Sequence, residues 1–241
     1  MIVLGFDTST RATAVGLRLA DGSMLQGRDD PEGERPPGHA TRLLPLASRL
    51  LIDGGLGWGE IGRIAVGVGP GTFTGLRIGV ATARGLAQSL GVALAGVSSL
   101  AALAHAAAAG AALAGAAGEP AGVLALIDAR RGEVFAAAYD RDVELLAAQA
   151  LAPGELGELR ERSEARTGQR HWIAVGDGAV LYRSALEQPD VRVPEDGSPL
   201  HRVDARAICT LGEHAPGGEA GVVPDYRRRP DAEIALEGAA S

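Results

Sequence analysis

The strongest constraint on the fold of this chain is a pattern of secondary structure that occurs twice in the same order. An apolar run ends at Asp7, a polar turn follows, and a second apolar run extends over 14–19. About half a chain later, an apolar run at 123–127 ends at Asp128, and another follows the next polar turn at 134–139. Two apolar runs that flank a short polar turn are typical of paired strands.

Each half then continues with strands that lead into helices, and Asp204 is a candidate N-cap for a helix at 205–214. The apolar runs that precede the helical segments lie at 64–68 and 92–95 in the first half and at 173–176 and 191–193 in the second. The shared order favours an α/β fold of two similar lobes, each a mixed sheet flanked by helices. The predicted divisions are a first lobe at 1–109, an Ala/Gly-rich linker region at 110–122, and a second lobe with a C-terminal tail at 123–241.

Composition narrows the class of protein. The 241 residues are 46% hydrophobic, which is ample for a core, and the single cysteine, Cys209, excludes an internal disulfide framework. The formal net charge of -7 argues against a broad nucleic-acid-binding surface, because phosphate contacts need clustered positive charge. No signal peptide pattern is visible, and the alanine-rich segment 101–117 is too weakly hydrophobic to predict a membrane span. We therefore predict a cytoplasmic protein that does not contact a membrane.

A glycine-proline turn at 69–71 separates a buried strand from a helix that we expect to end at Gly91. One interpretation of this turn is a phosphate cradle at the helix start. The chain contains no lysine, which excludes the P-loop form of such a cradle. A second interpretation is close approach by a helix of another chain or by this chain's own sheet. It rests on small residues that repeat every four positions along one helix face: Gly75, Gly79, Ala83 and Ala87.

A duplicated lobe of this kind resembles the actin/Hsp70/sugar-kinase (ribonuclease H-like) fold, in which ATP lies between the lobes against glycine-containing turns. The matching turns are degraded here, because Asp7, Thr8 and Ser9 lack the glycine, and Asp128 is followed within the turn by two arginines. Asp7 could orient a metal or a water, or it could accept hydrogen bonds from its own turn. We favour the second role and interpret both turns as vestigial phosphate sites.

Several short segments match a known family. The most specific is GPGTFTGLR at 69–77, and the others are LGFDTS at 4–9, HATRLLP at 39–45, DARRGEVF at 128–135 and PDYRR at 224–228. On these segments the chain resembles the TsaB family, also called YeaZ. It departs from the family in the tail, where Arg227 stands in place of the usual leucine.

The resemblance implies a non-catalytic scaffold and activator subunit. Such a subunit dimerises with TsaD, the catalytic homologue, and the complex, joined by the TsaE ATPase, threonylcarbamoylates the adenosine adjacent to the anticodon in tRNAs that read ANN codons. The resemblance also implies a homodimer when the chain is alone, and contact with tRNA only through the complex. The implied partner interface comprises Leu43, Leu46, Leu50, Thr72, Phe73, Gly75, Leu76, Gly79, Val80, Ala83 and Ala87.

We predict no catalytic residue, no metal and no cofactor. The catalytic homologue binds its metal with two histidines four positions apart, whereas Leu43 stands four positions after His39 here. Two alternatives stay open. One is an ATP-dependent phosphotransferase or ATPase that uses Asp7 in the cleft between the lobes, and the other is a metallopeptidase-like protein.

Overall fold

The computed structural model describes residues 1–114, 122–168, 171–218 and 222–227, and it places them in two five-stranded sheets with helices packed against them. The strands of the first sheet are β1 (Val3–Asp7), β2 (Thr13–Arg18), β3 (Met24–Asp29), β4 (Arg63–Gly69) and β5 (Ala93–Ser98). Their spatial order is β3-β2-β1-β4-β5. The first three form an antiparallel meander, and β4 and β5 extend the sheet in parallel with β1.

The second sheet repeats this topology. Its strands are β6 (Gly122–Arg130), β7 (Glu133–Asp140), β8 (Val143–Leu151), β9 (Trp172–Val175) and β10 (Val191–Arg192). Their order is β10-β9-β6-β7-β8, again with an antiparallel meander followed by two parallel strands. The predicted fold class, an α/β fold of two similar lobes, each a mixed sheet flanked by helices, is confirmed.

The helices are α1 (His39–Asp53), α2 (Phe73–Leu90), α3 (Ser99–Ala114), α4 (Leu156–Thr167), α5 (Asp177–Leu181), α6 (Arg183–Leu186) and α7 (Ala205–His214). Two predicted helix ends are confirmed. Gly91 ends α2 in the left-handed conformation with φ 67, and the Asp204 side chain accepts a hydrogen bond from the Arg206 N–H at 2.8 Å. Within the described ranges, no helix has both the length and the apolar character needed to cross a bilayer.

Three apolar cores hold the molecule together. One lies between the first sheet and the pair α1 and α2, and another lies between the second sheet and α4 to α6. The third lies between the two sheets and is filled by α3 and α7. These two helices are exchanged with respect to chain order, because α3 packs on β6 of the second sheet and α7 packs on β1 and β2 of the first.

The predicted domain boundaries stay a prediction. The first residues of the predicted linker belong to α3, and the second sheet begins at Gly122. Residues 115–121 lie outside the described part of the chain. The exchange of α3 and α7 means that the central core contains side chains from before and after the linker.

The backbone of α7 approaches the first sheet closely because glycines lie at the contact. A Cβ at Gly212 would overlap the Cβ of Ala65, and a Cβ at Gly16 would lie 2.7 Å from the Ala205 carbonyl oxygen. Neither neighbour is the flexible end of a side chain. Larger residues at these glycines would therefore push the helix away from the sheet.

We expect Gly212→Val to lower the free energy of unfolding by about 1–3 kcal/mol through overpacking. Urea denaturation followed by circular dichroism measures this loss. Gly110→Val is the matched control, because Gly110 is also helical and its Cβ would make an ordinary contact of 3.5 Å with Leu200. Equal losses for both variants would contradict the close packing of α7.

Cys209 lies in α7 with its Sγ 3.6 Å from the Val3 carbonyl oxygen. Burial raises the pKa of this thiol to about 12, so the reactive thiolate is scarce at neutral pH. We expect a thiol reagent at pH 7 to label the native chain at the rate of its unfolding, and to label the chain in urea immediately. Rapid labelling of the native chain would show that the central core opens readily.

Candidate functional site

The turn after β1 is closed by its own hydrogen bonds. Asp7 is buried, and its Oδ1 accepts hydrogen bonds from the Ser9 backbone N–H at 2.8 Å and from the Ser9 hydroxyl at 2.7 Å. Its Oδ2 accepts a hydrogen bond from the Ser99 hydroxyl at 2.6 Å. The prediction that Asp7 serves its own turn is confirmed. Both carboxylate oxygens are thus engaged inside the protein rather than directed into an open cleft.

The start of α2 packs directly on this turn. The Thr8 hydroxyl donates a hydrogen bond to the Gly75 carbonyl oxygen at 2.7 Å, and the Thr72 N–H donates one to the Ser9 carbonyl oxygen at 2.7 Å. A Cβ at Gly75 would overlap the Thr8 carbonyl oxygen, and a Cβ at Gly79 would overlap the Thr8 hydroxyl. These two glycines therefore allow the helix to lie against the β1 turn.

This packing corrects the interpretation of the small-residue stripe. The stripe is buried against the chain's own first lobe, so its interpretation as an outward docking face is wrong. The residues of the implied interface that are buried are Leu43, Leu50, Gly75, Leu76, Gly79, Val80, Ala83 and Ala87. Leu46, Thr72 and Phe73 are partly exposed. That α1 and α2 contact a partner stays a prediction, but most of the residues assigned to that contact face inward.

The corresponding turn of the second lobe is also closed. Asp128 Oδ1 accepts a hydrogen bond from the Arg130 N–H at 2.7 Å, and its other oxygen lies 3.1 Å from the Arg130 guanidinium. The Asp177 carboxylate accepts the Asp128 N–H at 3.0 Å. Burial, together with the charge of Asp128, raises the pKa of Asp177. Arg130 and Arg131 in this turn adopt positive φ values of 66 and 53.

A cleft of about 330 Å³ lies beside the start of α2 and contains His39. The His39 Nδ1 lies 2.9 Å from the Thr13 hydroxyl, and burial lowers the pKa of the ring, which favours its neutral form. Leu43, in the position of a second ligand, is buried in the first-lobe core. Among the described residues, no group of three or more His, Cys, Asp or Glu side chains could hold a metal ion.

One side of the helix pair α1 and α2 carries uncharged residues that are exposed or partly exposed. The family resemblance placed the interface on these two helices but at other residues. On α1, Leu44 and Ile52 are 44% and 72% exposed. On α2, Gly85 is exposed with open space beyond its Cα. The two helices contact each other. We call the following six residues the α1–α2 face: Leu44, Ser48, Ile52, Ile78, Ala81 and Gly85.

A signal for this face is present in the sequence of α1. The buried side chains of α1 already supply one apolar stripe at helical spacing, namely Leu43, Ala47, Leu50 and Leu51. Leu44, Ser48 and Ile52 follow one another at intervals of four positions and therefore share another side of the helix. Large apolar residues that lie together on an exposed side are typical of a contact surface.

Comparisons with known proteins identify the family. A family model described as TsaD, tRNA N6-adenosine threonylcarbamoyltransferase, matches residues 36–157. The tRNA threonylcarbamoyladenosine biosynthesis protein TsaB of Escherichia coli is 36% identical over 182 residues, which are 74% of this chain and 72% of that protein. The protein of the same name from Bacillus subtilis is 28% identical over 97% of this chain and 96% of that protein.

A solved structure agrees with these sequence relatives over nearly the whole chain. YeaZ from Pseudomonas aeruginosa superposes with a TM-score of 0.71 and 28% identity, covering 93% of this chain and 99% of that one. An uncharacterised protein of Mycobacterium tuberculosis is 31% identical over 96% of this chain and 93% of its own length. The chain therefore belongs to the TsaB (YeaZ) family of tRNA threonylcarbamoyladenosine biosynthesis proteins.

Proposed function

We propose that this chain is a non-catalytic scaffold and activator subunit in tRNA threonylcarbamoyladenosine synthesis. The observation that carries the proposal is the α1–α2 face, where the large apolar side chains of Leu44 and Ile52 are exposed to water. The family membership of the chain indicates what kind of partner would cover them. Burial of such surface drives protein association. The closed turns at Asp7 and Asp128 support a role without chemistry, since both carboxylates are already hydrogen-bonded within the protein, Asp7 to its own turn and to Ser99, and Asp128 to its own turn.

The proposed partner is the catalytic homologue TsaD, with the TsaE ATPase joining the pair. The family model that matches residues 36–157 is described as TsaD, so a catalytic homologue is expected to share the helices of the first lobe. Two similar helix pairs can pack face to face as a four-helix arrangement. Ser48, Ala81 and Gly85 leave room for the close approach of a second helix pair, since none carries a long side chain.

In the absence of TsaD, the same face is proposed to pair with a second copy of this chain. A two-fold dimer uses one surface patch twice, and none of the six residues of the α1–α2 face is charged, so these residues bring no like charges together. The tRNA is proposed to contact the complex mainly through the other subunits, because the net charge of -7 disfavours a broad phosphate-binding surface.

Substitutions on the α1–α2 face should abolish association while leaving the fold intact. We expect Ile78→Arg and Gly85→Arg to weaken binding to the catalytic homologue by about thirtyfold or more, in the range of an interface hot spot. Each variant places a cation where uncharged surfaces would meet. Isothermal titration calorimetry with the purified homologue measures the loss, and size-exclusion chromatography measures the loss of self-association.

Ala109→Arg is the control, because Ala109 is an exposed alanine on α3, away from the face. It should bind as the unmodified chain does. Gly79→Leu tests the packing of α2 instead. Because Gly79 is buried against Thr8, this variant should unfold the first lobe rather than only weaken binding. Undiminished binding by folded Ile78→Arg and Gly85→Arg would refute the assignment of the face.

The role of Asp7 separates a scaffold from an ATP-dependent enzyme. Asp7→Ala leaves the Ser9 and Ser99 hydroxyls without their buried acceptor, and we expect it to lower the free energy of unfolding by about 1–3 kcal/mol. The folded fraction should still activate the catalytic homologue fully. Hydrolysis of magnesium-ATP by the purified chain, lost in Asp7→Ala, would instead establish an enzyme.

A further inference from the structure

The first residues of the C-terminal segment 222–227 are bound to the first lobe. Val222 is fully buried in the core beneath α1 and α2. The Arg84 guanidinium on α2 donates a hydrogen bond to the Val222 carbonyl oxygen at 2.8 Å. Three residues later, the Asp225 N–H donates one to the Val68 carbonyl oxygen in β4 at 2.7 Å. The segment therefore runs along the side of α2 and is tied to both the helix and the sheet.

Tyr226 adds an aromatic contact with the first turn of α2. Its ring centroid lies 5.0 Å from that of Phe73, and its hydroxyl oxygen lies 3.2 Å from the Arg77 Nε. The Arg77 guanidinium lies over the Phe73 ring, 3.7 Å from the centroid. A cation and two rings in this arrangement stabilise one another beyond the area they bury.

Arg227 then crosses to the second lobe. Its Nη1 donates a hydrogen bond to the Ala148 carbonyl oxygen in β8 at 2.9 Å. Its Nε lies 2.6 and 2.8 Å from the two oxygens of the Asp225 carboxylate, so Asp225 orients the guanidinium that reaches across. Asp225 thus binds the first sheet through its backbone and supports the link to the second lobe through its side chain.

The acceptor on β8 is placed at an irregularity of the second sheet. Ala136 pairs with Gln149 and Ala138 pairs with Leu146, so Ala148 falls in a stretch where the β7–β8 register shifts. A shifted register interrupts the ladder of backbone hydrogen bonds. The Arg227 guanidinium donates a hydrogen bond to the Ala148 carbonyl oxygen in this interrupted stretch. A side chain near the C-terminal end of the described chain therefore pairs with the edge strand of the second sheet.

We propose that 222–227 is a strap that joins the outer sides of the two lobes and, together with the core that α3 and α7 share, limits their separation, with Arg227 as its attachment on the second lobe. The first lobe holds the strap by Val222, Asp225 and Tyr226, and the second lobe holds it by the Ala148 carbonyl. Opening of the lobes on this side requires the Arg227 link to break.

The strap is tested by measuring the distance between the lobes in the full chain. Spin labels on Gln88→Cys in α2 and Glu158→Cys in α4 occupy exposed sites, one on each lobe. Cys209 is buried, so the two introduced thiols are those labelled. Double electron-electron resonance on the labelled chain should give one dominant distance and a minor population at longer distance. With Arg227→Leu, we expect the population at longer distance to rise about threefold to tenfold, as for loss of one part-exposed charged hydrogen bond.

Arg49→Leu is the matched control, because Arg49 forms an exposed ion pair with Asp53 within α1 and reaches no second lobe. Its distance distribution should equal that of the unmodified chain. Asp225→Ala removes the carboxylate that orients the Arg227 guanidinium and should broaden the distribution as Arg227→Leu does. Circular dichroism verifies that each variant is folded. Distributions for both strap variants identical to that of the unmodified chain would overturn the proposal.

Discussion

The contact between α2 and the turn after β1 determines how the rest of the first lobe is arranged. Gly75 and Gly79 bring the helix backbone against Thr8, and the Thr8 hydroxyl bonds to the Gly75 carbonyl oxygen. This contact fixes the rotation of α2 about its axis. Once the glycine face is turned inward, the opposite side of the helix, which carries Ala81 and Gly85, must face away from the sheet.

The same contact closes the turn after β1. The Ser9 carbonyl oxygen accepts a hydrogen bond from the Thr72 N–H. The Asp7 carboxylate accepts hydrogen bonds from the Ser9 and Ser99 hydroxyls. These polar groups of the turn have internal partners. A turn whose polar groups are paired in this way needs no ligand to remain ordered.

Local signals in the sequence predicted the elements that local physics determines. Gly91 ends a helix through its backbone conformation, and Asp204 begins one through a side-chain cap. Both signals can be recognised in the sequence without knowledge of tertiary contacts. Strands β3 and β8 and helix α4 were not predicted, because β3 and β8 are partly exposed and α4 is largely polar, so their hydrophobic periodicity is weak. The outward side of α2 was also missed. Gly79 is buried while Gly85 is exposed, and the difference depends on Thr8, which lies far away in sequence.

The exchange of α3 and α7 makes the two halves of the polypeptide interdependent. A fragment that ends in the segment between α3 and β6 would keep the first sheet but leave the face that α7 covers open to water, and the complementary fragment would carry α7 without the sheet it belongs to. The lobes are alike in topology, yet the core between them contains side chains from both halves of the chain. Each completes the interior of the other, as swapped elements do in an intertwined dimer.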